Sequence, residues 1–65
     1  MATSKRYDKI ERSKLWDYIK LGYELYAVDM RQLKVLTIEE LTINQVNYYY
    51  QSADTIFIHA YEVNS

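Results

Sequence analysis

Thr55-Ile56-Phe57-Ile58-His59-Ala60-Tyr61-Glu62-Val63 is the stretch on which the fold turns. It is β-branched and aromatic throughout, which predicts a strand. In an extended chain alternate side chains face opposite ways, so Ile56, Ile58 and Ala60 share one side, and Phe57, His59, Tyr61 and Val63 share the other. A strand with one wet face alternates apolar and polar residues; this one is apolar on both. It therefore belongs inside a sheet whose two faces are both covered.

Working backwards, Ser52-Ala53-Asp54 breaks the chain, and before it Thr42-x-x-Gln45 forms a capping box ahead of Ile43, Val46 and Tyr50. A helix is expected from about Ile43 to Gln51. A second box, Thr37-x-x-Glu40, competes for the same start but stands too early for the apolar spacing. Upstream, Tyr23 to Met30 and Leu33 to Leu36 read as two strands, and Arg31-Gln32 between them has the spacing of a two-residue hairpin. Further back, Ser13 to Leu21 fits a helix. Ser13 stands at the N-cap, Gly22 at the left-handed C-terminal position, and Leu15, Trp16, Tyr18 and Ile19 lie on one face. The helix can extend back to Tyr7 through Ile10 and the Asp8/Arg12 pair, or that segment is an extended arm. The expectation is one α+β domain over residues 1–65, in the order α-β-β-α-β, with a three-stranded, mainly antiparallel sheet and two helices. Disorder is expected at residues 1–4 and 64–65.

Two helices cover both faces of such a sheet only if they split. Either they do, or a second chain covers the bare face or pairs with the edge of Thr55 to Val63. Size favours the second chain. A 7.8 kDa chain folds to about 4,400 Å² of surface from about 11,300 Å² unfolded. The apolar part of that burial contributes about 100 kcal/mol, and ordering the chain costs about the same. The sequence has no Cys and one His, so neither disulfides nor a thiolate zinc site closes the gap. Idealised packing or self-association remains, and self-association as a homodimer is expected.

Composition excludes several function classes. At 49% hydrophobic residues the chain is too apolar for a disordered segment. No run approaches a membrane span, and Met1 to Lys5 lacks the apolar core of a signal peptide, so a cytoplasmic protein without membrane contact is expected. Catalysis finds no foothold. His59 has no Cys, second His or Asp at ligand spacing and reads as a core or interface residue, while Glu39-Glu40 are adjacent and diverge. No catalytic residue, metal ligand or cofactor is expected.

Net charge is -1, yet residues 1–20 hold six cations, Lys5, Arg6, Lys9, Arg12, Lys14 and Lys20, against the acids Asp8, Glu11 and Asp17. Arg6, Lys9, Arg12 and Lys14, interleaved with aromatics, form a candidate nucleic-acid patch. The acids within it favour a solvated face. Eight tyrosines in 65 residues are the stronger signal, because Tyr offers large contact area at low entropy cost with a polar tip. In Tyr48-Tyr49-Tyr50 helical geometry sends Tyr50 inward with Ile43 and Val46, Tyr48 nearly opposite and Tyr49 to the flank. Tyr48 and Tyr49, joined by Phe57, His59 and Tyr61, are the candidate protein-binding surface.

Leu15-Trp16 through Gly22, Tyr26-Ala27-Val28-Asp29 and Leu41-Thr42-Ile43 resemble short open reading frames common in phages and prophages of Gram-positive bacteria. In these a helix ending in Gly leads through a Val-Asp strand to a Thr-capped helix. The resemblance implies no catalytic residues. It implies a protein that binds a host protein stoichiometrically, such as an inhibitor of a defence protein. The alternative is a small nucleic-acid-binding regulator.

Overall fold

A computed structural model describes residues 2–64. Thr3–Ile10 form strand β1, Leu15–Lys20 helix α1, Glu24–Asp29 strand β2, Lys34–Thr37 strand β3, Ile43–Gln51 helix α2 and Thr55–Asn64 strand β4. Single 3-10 turns at Arg12–Lys14 and Ile38–Glu40 lead towards the two helices. The sheet has four strands in the order β1-β4-β2-β3, and every pairing is antiparallel. The α+β class and the two helices agree with the sequence reading, whereas the expected three strands become four.

The added strand takes in the start of the Tyr7 segment, expected as a helix extension or an extended arm, together with the residues before it. Thr3 to Ile10 pairs with β4 residue for residue, from Thr3 opposite Asn64 to Ile10 opposite Phe57. Thr3, Ser4 and Asn64 are thus hydrogen-bonded strand rather than disordered; Met1 and Ser65 lie outside the described residues. Consequently the Thr55 to Val63 strand is central and presents no free edge. The exposed edges are β1 and the short β3.

The β2–β3 connection also differs. Asp29 pairs with Lys34, so the loop is Met30 to Leu33 rather than two residues. Asp29 Oδ1 accepts from the backbone N–H groups of Arg31 at 3.0 Å and Gln32 at 3.2 Å. A carboxylate folded over its own turn supplies what Arg31-Gln32 cannot supply through positive φ. The left-handed position falls on Leu33 at φ 56°.

Helix α2 begins where the second capping box places it. Gln45 N–H donates to Thr42 Oγ1 at 3.2 Å, and Thr42 N–H donates to Gln45 Oε1 at 2.8 Å. Its inward face is Val46 with Tyr49 and Tyr50, while Ile43, expected inside, is 62% exposed in the first turn. Helix α1 buries Leu15 and half-buries Trp16, Tyr18 and Ile19 as the periodicity predicts. Its N-cap position is Lys14 without a side-chain cap, because the 3-10 turn occupies Ser13.

The core comprises Ile10, Leu25, Ala27 and Phe57 from the sheet with Leu15, Ile38 and Val46 from the connecting elements. By register those sheet residues share one face: Ile10, Phe57 and Ala27 lie in one row, with Leu25 two positions along β2. Both helices therefore cover the same side. The other face, carrying Tyr7, Tyr26, Val28, Val35, Ile56 and Ile58, has no helix over it among the described residues.

Candidate functional site

The helix-side surface is built around the end of α1. Gly22 takes φ 77°, a conformation that only a residue without Cβ adopts freely. This lets the chain reverse: Gly22 N–H donates to the Ile19 carbonyl at 3.1 Å and Tyr23 N–H to the Tyr18 carbonyl at 3.2 Å. These paired bonds form a Schellman motif, in which the residue after the glycine packs on the third residue from the helix end. Those two residues are Tyr23 and Tyr18, and their rings meet edge to face at 5.0 Å.

Strand β4 delivers the third and fourth rings. His59 packs edge-on to Tyr18 at 5.5 Å, stacks on Tyr23 at 5.9 Å and stacks on Tyr61 at 5.4 Å. The half-buried imidazole is thus bordered by three phenols, beside buried Leu25, its cross-strand neighbour. Tyr23 and Tyr61 remain 49% and 37% exposed. The carboxylate of Asp8, opposite His59 on β1, and then partial burial hold the Tyr61 phenol above its ordinary pKa. The result is a contiguous aromatic surface with polar tips, fixed by a helix terminus on one side and a sheet on the other.

The predicted protein-interface residues separate. His59 and Tyr61 come together in this cluster. Tyr48 and Tyr49 form a second pair on α2, edge to face at 5.1 Å; Tyr48 is exposed and Tyr49 packs on the core. Phe57 does not belong to any surface, being 1% exposed beneath the helices. It shares its strand face with His59 and Tyr61, but α1 and α2 cover the row in which it sits. Tyr18 and Tyr23 were missed, and the signal that finds them is the spacing of aromatic residues at the third-last and first-following positions around a helix-ending Gly.

The basic residues do not converge. Arg6 and Lys9 project from opposite faces of β1, and Lys14 sits in the 3-10 turn. Arg12 is turned inward. Its guanidinium donates to the carbonyl of Tyr49 at 3.3 Å and to those of Tyr50 and Thr55, and lies 5.4 Å from the Phe57 ring centroid. It caps the C-terminus of α2, where carbonyls lack helical partners, and ties that helix to β4.

Across the sheet, the bare face is a grid in register. Lys9, Ile58, Tyr26 and Thr37 form one row, Tyr7, Ala60 and Glu24 another, and Ile56, Val28 and Val35 a third. Tyr7 and Tyr26 pack edge to face at 6.2 Å. Lys5 Nζ lies 3.0 Å from Glu24 Oε2, and the Tyr26 hydroxyl donates to the same oxygen. The Tyr26 hydroxyl first, and Lys5 second, hold the Glu24 carboxyl below its usual range. A shallow depression of about 320 Å³ is lined by Tyr7, Tyr26, Val35 and Ile58.

Among the described residues no three His, Cys, Asp or Glu side chains group as a metal site, and no helix is long and apolar enough to cross a membrane. No protein-family model, curated protein or solved structure matches the chain.

Proposed function

We propose that this chain is a small non-catalytic protein-binding protein that acts stoichiometrically in the cytoplasm, by occupying a surface on another protein. The observation that carries this reading is the Tyr18–Tyr23–His59–Tyr61 cluster. Aromatic rings held rigid by their surroundings give large contact area without an ordering cost on binding, and Tyr is the residue type that binding surfaces favour for that reason. The four rings are held from both sides, by the Schellman turn and by β4, and two of them, Tyr23 and Tyr61, remain open to a partner. The setting we propose is that of a phage-encoded inhibitor of a bacterial host protein, defence proteins included, which rests on the resemblance to short phage reading frames. Its mechanism is steric occlusion.

The test is capture from a nuclease-treated Gram-positive bacterial lysate, read by mass spectrometry, with the wild-type chain beside Tyr23→Ala and Tyr61→Ala. A protein retained in near-equimolar amount by the wild type and lost from both variants is the expected result. Retention unaffected by either substitution removes the cluster from the site. Retention abolished by the nuclease points instead to a nucleic-acid-binding regulator.

A further inference from the structure

We infer that the bare sheet face is the interface of an isologous homodimer, a second copy of this chain packing its own bare face against the first. This surface is separate from the aromatic cluster, on the opposite side of the sheet. Its centre, Tyr26, Val28, Val35, Ile56, Ile58 and Tyr7, contains no charged side chain. All the charges of the face, Lys5, Lys9, Glu24 and Glu62, stand at its margins, the arrangement of an interface with an apolar centre and a polar rim.

Three quantities select a second copy as the occupant. The chain exposes 5000 Å², about 600 Å² more than a monomeric domain of its mass. Two such surpluses reach about 1,200 Å², the lower limit for a specific interface. The radius of gyration of 12.3 Å and extents of 40 × 26 × 20 Å describe a slab, whereas a compact domain of this length has a radius of about 11 Å. Stacking two slabs face to face, about 10 Å between sheets, restores a compact body with helices outside and two sheets within. Charge points the same way. The margin carries two cations and two anions, so the face is neutral, matches an identical neutral face, and offers no field to attract a polyanion. The twofold-buried pattern of Thr55 to Val63 then has its explanation: one side lies beneath this chain's helices and the other beneath its partner's sheet.

Sedimentation equilibrium of the full chain tests this, with Ile58→Asp, Val35→Asp and Tyr48→Asp as variants. The wild type is expected at twice 7.8 kDa in the micromolar range, with a melting temperature that rises with concentration. Ile58→Asp is expected to weaken the dimer at least 100-fold, and Tyr48→Asp, on the helix side, to leave it intact. Val35 is 64% exposed on an edge strand, so Val35→Asp keeps the monomer folded even where Ile58→Asp does not, and is expected to weaken the dimer at least tenfold. A wild-type monomer with a dilution-independent melt overturns the inference. So does a dimer indifferent to both sheet-face charges, or a monomer that binds a single-stranded oligonucleotide at physiological salt through this face. Loss of dimer with lysate capture retained, or the reverse, separates this inference from the proposed function.

Discussion

The Arg12 guanidinium stands over the Phe57 ring at 5.4 Å from its centroid, so a half-buried cation sits above the largest fully buried side chain among the described residues. The same guanidinium holds three backbone carbonyls, and only a planar, forked donor reaches all of them at once. Arg12→Ala leaves the end of α2 uncapped and is expected to cost about 2–3 kcal/mol. Arg12→Lys should recover less than half of that. Urea melts followed by circular dichroism measure both, and a loss below about 0.5 kcal/mol for Arg12→Ala would contradict the clamp.

Gly22 is constrained by backbone conformation alone, since a Cβ built there meets nothing within 4 Å. Gly22→Ala should therefore cost about 1 kcal/mol, and Gly22→Asn, which tolerates the left-handed region better, less. Equal losses for the two in thermal melts would mean that something other than φ limits the site.

Thr55 is completely buried, and among the described residues its hydroxyl has no hydrogen-bond partner. Replacing the hydroxyl by a methyl of the same shape removes an unpaired polar atom, so Thr55→Val is expected to stabilise the chain by about 1 kcal/mol. Destabilisation on urea unfolding would show that the hydroxyl is bonded in solution, for example to a buried water.

Glu24 titrates below its ordinary 4.5 and Tyr26 above its ordinary 10.0, each chiefly through their shared hydrogen bond. A depressed carboxyl contributes stability that is complete above 4.5 and lost as pH falls through the folded value; a raised phenol contributes stability that is complete below 10.0 and lost as pH rises through its folded value. Both contributions are small at so exposed a site. Tyr26→Phe and Lys5→Met should each move the Glu24 titration upward. Carboxyl-resolved NMR titration reads both, and no upward movement in Tyr26→Phe would contradict the shared hydrogen bond.

Dispersed cations predict weak nucleic-acid binding. Oligonucleotide affinity should vanish near about 0.15 M salt. Micromolar binding that survives there, and falls steeply above it, would revive the regulator reading.

Where sequence and structure agree, local chemistry is decisive: the Thr42/Gln45 box, the glycine after α1, and the β-branched, aromatic run that forms β4. Strand β1 escaped notice because its alternation is blank. Lys5, Tyr7 and Lys9 face one way and Arg6 and Asp8 the other, all exposed, as suits an edge strand kept from pairing with strangers. Its Asp8/Arg12 spacing meanwhile imitates a helical pair. The candidate site was half legible for a related reason. Parity along β4 groups Phe57 with His59 and Tyr61, but only the path of the helices decides which of the three is covered. Tyr18 and Tyr23 join them from a turn more than thirty positions away in the sequence.

Strand β4 is both the last element of the described chain and the centre of its sheet. Every preceding strand except β3 needs it as a neighbour, and Phe57, which seats both helices, arrives with it. The β2–β3 hairpin joins neighbours in sequence, whereas β1 and β2 meet only through β4. Closure of the sheet therefore brings together strands separated by most of the described residues, which makes it slow beside local hairpin formation. A chain from which Thr55–Asn64 is removed should be unfolded and quickly degraded, because β1 and β2 lose the neighbour they share.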